Sequence, residues 1–138
     1  MKRLVPTTIF GLLLLFSCKK YVQKQEQNAL EAEVTNGEWY VTGYEQNDSN
    51  ITSAFSGYLF KFDANNTVTG TDGNVSVAGQ WTDNIAARTI TANFPGANAP
   101  LVYLNATWTI TDSYTDSVSA KSVDTVNHTT NTLQLKKQ

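Results

Sequence analysis

The sequence predicts an all-β fold: a small antiparallel up-and-down barrel of seven to eight strands, preceded by a signal peptide and a polar tether. Three observations point there. Apolar and polar residues alternate with a period of two in one segment after another, the mark of strands with one buried and one wet face. Turn-forming clusters such as Asn65-Asn66, Asp72-Gly73 and Pro95-Gly96 recur at the spacing of a barrel or sandwich. Cys18 is the only cysteine, so no disulfide staples the fold and a hydrophobic core has to hold it.

The expected strands run in order from residue 38. Glu38 to Tyr44 is rich in aromatic and β-favouring residues and follows the turn signal Asn36-Gly37. Gly57 to Asp63 alternates, with Tyr58, Phe60 and Phe62 on one face. Ala64-Asn65-Asn66 turns into Thr67 to Gly70, and Asp72-Gly73 is the strongest hairpin signal in the chain. Val75 to Trp81 then places Val75, Val77 and Trp81 together, and Asp83-Asn84 reads as the next turn. Arg88 to Phe94 alternates cleanly. After Pro95 to Pro100 a long strand is expected from Leu101 to Thr111, with Leu104, Trp108 and Ile110 in phase. Asp116 to Asp124 buries Val118 and Ala120. Asn131 to Lys136 closes with Leu133 and Leu135 inward. A closed barrel leaves no exposed edge strand.

The segment before the barrel has a different character. Met1-Lys2-Arg3 is basic, and Ile9 to Phe16 is apolar apart from Gly11, too short to cross a bilayer but right for a secretion signal. The division expected is a signal peptide at 1–17, a tether at 18–36 and the barrel at 37–138. Within the tether, Ala29 to Val34 suits one or two helical turns, with Leu30 and Val34 on one face and able to cover an end of the barrel; a structureless linker fits the residues equally well. Loss of Lys2 and Arg3 with the signal makes the chain more acidic than its net charge of −2. Neither nucleic acid nor electrostatic adhesion to anionic lipid is expected of such a surface.

Two resemblances add to this. Leu15-Phe16-Ser17-Cys18 resembles the bacterial lipobox. The resemblance implies cleavage before Cys18 and acylation of that residue with chains such as palmitate, and hence a membrane partner reached through lipid. One acyl chain holds a protein only marginally and a second makes the anchor stable. Lys19 stands where an inner-membrane retention signal resembling Asp would be, which implies the outer membrane; the lack of an acidic cluster after Cys18 points to its periplasmic face, with surface exposure left open. The second resemblance lies in the barrel. Gly37-Glu38-Trp39, the mid-chain Gly79-Gln80-Trp81, Tyr58-Leu59-Phe60-Lys61-Phe62 and the final Leu133-Gln134-Leu135-Lys136 occur in an order similar to the small lipocalin-like lipoproteins of Gram-negative bacteria. It implies an eight-stranded barrel with room for one small ligand. Lipocalins also pack an Arg near the chain end over the first-strand Trp, and no Arg stands there in this chain.

The aromatics expected inside are Trp39, Tyr58, Phe60, Trp81, Phe94 and Trp108. They admit two readings, a pocket for a small hydrophobic or amphipathic ligand and a plain core; small barrels more often fill themselves. If the barrel is filled, its loops Gln46 to Ser56 and Pro95 to Pro100 would serve instead, against an envelope protein or a hydrolase. No enzyme, cofactor or metal site is expected. His128 is the single histidine and lies in a polar loop, Asp112 and Asp116 flank a turn, and neither a Gly-x-Ser-x-Gly elbow nor a phosphate-cradling glycine loop occurs. Asp116-Ser117-Val118 and Asp124-Thr125-Val126 resemble the Asp-Ser/Thr-apolar O-glycosylation signal, marking Ser117 and Thr125; strand alternation accounts for both triplets as well.

Overall fold

A computed structural model describes residues 24–138. The expected signal peptide and Cys18 lie outside the described residues. The chain enters through a helix, α1, described over residues 24–35 and followed by strands β1 (Trp39–Gln46), β2 (Ser49–Asn50), β3 (Tyr58–Phe62), β4 (Thr67–Asp72) and β5 (Val75–Asn84). β6 (Thr89–Asn93), β7 (Ala106–Ser113), β8 (Ser117–Asp124) and β9 (Thr129–Lys137) complete it. β1 and β3 to β9 are antiparallel neighbours in chain order, and β9 returns to pair with β1 from Trp39↔Lys137 to Gln46↔Asn131. This is an eight-stranded up-and-down barrel, with β2 a short spur on the end of β1. Bulges between Val41 and Gly43 and between Ile110 and Asp112 bend β1 and β7 where the wall has to curve.

The barrel has two unlike ends. The helix end carries α1 and the tight turns after β3, β5 and β7. The loop end carries the β4–β5 and β8–β9 turns and two longer connections, each with a 3₁₀ turn, Thr52–Phe55 and Leu101–Leu104. Both connections fold inward rather than standing free. Phe55, Leu101 and Leu104 are buried and plug this end together with Tyr44, which stacks on Phe55 at 5.2 Å between ring centroids and meets Trp108 edge-on at 5.9 Å.

α1 is longer than the one or two turns expected. It lays Leu30 and Val34 on the barrel, as their i, i+4 spacing requires. Gly37, at φ +86°, ends it in the left-handed conformation that glycine adopts freely. The Lys61 ammonium donates to the carbonyls of Thr35 and Gly37, the negative end of the helix. The indole Nε1–H of Trp39 donates to Val34 O at 3.0 Å. Lys137 pairs with Glu33 and lies 5.1 Å from the centroid of the Trp39 ring. A lysine from the last strand therefore supplies the cation over the first-strand Trp, where lipocalins place an arginine.

Three strand assignments shift. Leu101–Leu104 is a 3₁₀ turn and not the start of β7: Leu101 and Leu104, three apart, share its buried face, and the Asn105 side chain accepts from Phe94 N at 2.6 Å to pin the loop. Asp83-Asn84 belongs to β5, paired with Ile90 and Thr89; the turn follows at 85–88, where Asn84 Oδ1 accepts from Ala87 N at 3.0 Å. Val75 has the phase of Val77 and Trp81 but is 67% exposed, because it sits beyond the rim beside the Gly73 turn.

Gly79 explains half of the mid-chain motif. A Cβ there would lie 2.5 Å from Asn93 O and 2.8 Å from the Phe94 ring. The backbone oxygen cannot yield without opening the β5–β6 ladder. Gly79→Ala is therefore expected to destabilise the barrel by about 1–3 kcal/mol, visible as a lower midpoint in thermal denaturation followed by circular dichroism. An unchanged midpoint would contradict this packing.

Candidate functional site

The inward residues divide along the barrel axis. Towards the loop end they fill the interior. Towards the helix end they leave an apolar void of about 60 Å³, bounded by Phe60, Phe94, Trp108, Ile110, Val118 and Leu135 among others. An apolar cavity of about 150 Å³ takes up benzene and stays dry otherwise. A void of 60 Å³ has room for a short alkyl end and not for a ring.

A larger cleft of about 460 Å³ lies between α1 and the barrel rim. Glu26, Leu30 and Val34 form its helix side; Asn84 to Ala86 and Arg88 to Ile90, with Ser113, form much of its rim side. Ile90, Ile110 and Val118 border both the cleft and the void. They are a throat. Of these two, the cleft falls in the range of about 300–1,000 Å³ usual for small-molecule sites and the void does not.

Only three of the six expected aromatics meet at the void: Phe60, Phe94 and Trp108. Trp39 lies under α1. Trp81 closes the β3–β4 turn, donating Nε1–H to Asp63 O at 3.0 Å with its ring edge-on to Phe62. Tyr58 is half-buried and stacks on Phe60 at 6.0 Å. Trp108 donates its Nε1–H to Leu104 O at 3.0 Å. Each indole N–H is thus committed to a backbone carbonyl, and none is left as a polar handle for a ligand. The throat residues carry an inward phase in the sequence, but a period of two reports which face a residue takes and not its height along the axis.

Asp83 is a second feature that the sequence conceals. It points inward at the end of β5, and its Oδ2 is buried without a hydrogen-bond partner. Burial raises its carboxyl above the usual value, and the charge of Glu31 on α1 adds to the shift. The opposite rim contains the reverse case. Asp124 accepts from Val126 N at 2.9 Å, Asn127 N at 3.1 Å and Asn127 Nδ2 at 2.7 Å, and the Asn127 side chain, followed by these backbone groups, holds it below the usual range. Asp124 is accordingly the last residue of β8, and Thr125 and Val126 lie in the turn that follows, with Val126 83% exposed. Thr125 and His128 are exposed in that same turn; Ser117 is half-buried at the start of β8. Asp112 is the last residue but one of β7 and Asp116 precedes β8, one on each side of a turn. Among the described residues no group of three His, Cys, Asp or Glu is placed to hold a metal ion, and no helix is long and apolar enough to cross a membrane.

No family model and no curated protein matches the chain. Among solved structures the chain is similar to a DUF4847 family protein from Bacteroides vulgatus ATCC 8482, with a TM-score of 0.54 and 17% identity over 79% of this chain and 99% of that one. At that identity the likeness speaks for the fold.

The raised Asp83 carboxyl has a definite sign. Below its unfolded value near 3.8 the group is protonated in both states and contributes nothing. Above it the native state holds the proton longer than the unfolded state, so stability declines as pH rises through the folded value. Asp83→Asn is expected to raise the midpoint of thermal unfolding at pH 7 and to lose that advantage at pH 3. An equal gain at both values would show that burial of the charge is not its cause.

Proposed function

We propose that this protein is a lipid-anchored, lipocalin-like binding protein of the outer membrane, and that its barrel holds an amphipathic molecule at the helix end. The alkyl end would pass the throat of Ile90, Ile110 and Val118, and the polar end would stay in the cleft beside Glu26 and Arg88. The observation that carries this reading is the shared border of cleft and void. A carbon-lined void that shares three wall residues with a cleft beneath a docked helix is what such a site requires. The apolar segment before Cys18 and the absence of any second cysteine support the anchor. The periplasmic face is the orientation favoured by the tether. No step in this reading requires catalysis or a cofactor.

Displacement of a fluorescent fatty acid tests the site. Wild-type protein is expected to bind the probe. Val118→Trp, which fills the throat, is expected to weaken binding about tenfold or more, the effect of losing about 1.4 kcal/mol of contact, at an unchanged fold by circular dichroism. Equal affinity in the variant would sink the site. Metabolic labelling with palmitate tests the anchor separately: label is expected on the wild-type chain and absent from Cys18→Ser. Label that survives the substitution would remove the anchor from the proposal.

A further inference from the structure

The loop end carries a second concavity, independent of the helix-end cleft. Its volume is about 550 Å³. Gln46 of β1, Tyr103 and Asn105 of the β6–β7 connection, Ser122 of β8, and Thr129 and Asn131 of β9 form much of its lining. Gln46, Ser122, Thr129 and Asn131 stand at the loop end of the barrel wall, Tyr103 and Asn105 in the connection beside it, and Val102, Ala106 and Val123 add apolar edges.

The chemistry of this lining excludes most ligand classes. No lysine or arginine borders it, so nothing is present to hold a phosphate or carboxylate. Its one charged residue is Asp124, and both carboxylate oxygens are already engaged inside their own turn, so no free anion awaits a cation. An apolar ligand would strand the amides and hydroxyls. What remains is a neutral molecule that both donates and accepts at many points.

Two groups on this lining are incompletely satisfied. Ser122 is 5% exposed, the one buried polar residue in the core of the described chain. Its hydroxyl accepts from Asn131 Nδ2 at 3.3 Å and keeps its own proton to give. The Oδ1 of the same Asn131 is buried with no partner. A buried acceptor without a donor is rare in a folded protein and calls for a bound group or water. Tyr103 adds an aromatic surface: its half-buried ring lies 6.3 Å from that of Tyr44 and is tilted by 43°. The Tyr44 hydroxyl is fixed to Tyr103 O at 2.7 Å, which holds the 3₁₀ turn and its ring in place. An electron-rich ring face beside convergent amides and hydroxyls suits a ring that is hydroxylated on its edge and carbon-hydrogen on its face.

We propose that the loop-end groove binds a neutral saccharide, through Ser122, Asn131 and Gln46 at the ring edge and Tyr103 at the ring face. The test is a titration of the purified protein followed by ¹H–¹⁵N NMR, with methyl β-glucoside, methyl β-galactoside, maltotetraose, cellotetraose and inorganic phosphate as probes. At least one neutral glycoside is expected to shift the amides of Ser122, Thr129 and Asn131 while leaving those of Ile90 and Val118 in place. Tyr103→Ala is expected to weaken that glycoside about tenfold, and Gln46→Ala provides the same comparison should the tyrosine variant lose its dispersed spectrum. A tetrasaccharide that binds at least tenfold more tightly than its monosaccharide identifies a glycan chain; equal affinity identifies a single sugar unit. The proposal is overturned if no glycoside shifts these amides, if phosphate shifts them as the glycosides do, or if the shifts map to the helix end.

Discussion

An eight-stranded barrel encloses little more volume than its own inward side chains occupy. Where those side chains stand along the axis therefore decides what the barrel can hold. Here the bulk is concentrated at the loop end. Tyr44, Phe55, Leu101, Leu104 and Trp108 fill that half, three of them supplied by the two connections that fold back into the wall. The remaining carbon-lined space lies at the helix end, where Ile90, Ile110 and Val118 are smaller and the rim is covered by α1 and not by a plug.

The helix is held by several different contacts at one corner. The Trp39 indole is fixed to the helix backbone, Lys137 bridges Glu33 and the Trp39 ring, and Lys61 completes the helix C-terminus. All lie at the junction of α1 with β1, β3 and β9. The far end of the helix, towards Glu26 and Leu30, borders the cleft. Fixed at one end and lined with an apolar gap at the other, α1 roofs the site without filling it. Asp83 beneath it faces the negative charge of Glu31, so the roof closes over a carboxylate whose ionisation works against the contact.

Much of the fold was legible because alternation, turn dipeptides and the Gly-x-Trp motifs are local signals. Trp39, Phe60, Trp81, Phe94 and Trp108 are buried as their phases require. The misassigned segments are those where tertiary packing overrides local preference. Leu101–Leu104 has strand composition but turns because its buried pair is spaced for a 3₁₀ turn, and Asp83-Asn84 has turn composition but extends because β6 pairs with it. The candidate sites were far less legible. Phase marked Ile90, Ile110 and Val118 as inward but could not place them at one height. The polar floor of Ser122 and Asn131 arises only when the β8–β9 register sets the two residues opposite each other.

The most direct measurement is paramagnetic relaxation by a spin-labelled stearate, observed at the methyl groups of the protein by NMR. Uneven filling of the barrel predicts broadening at Ile90, Ile110 and Val118 and none at Leu101. Broadening at Leu101 instead, or no broadening anywhere, would contradict an apolar site beneath α1.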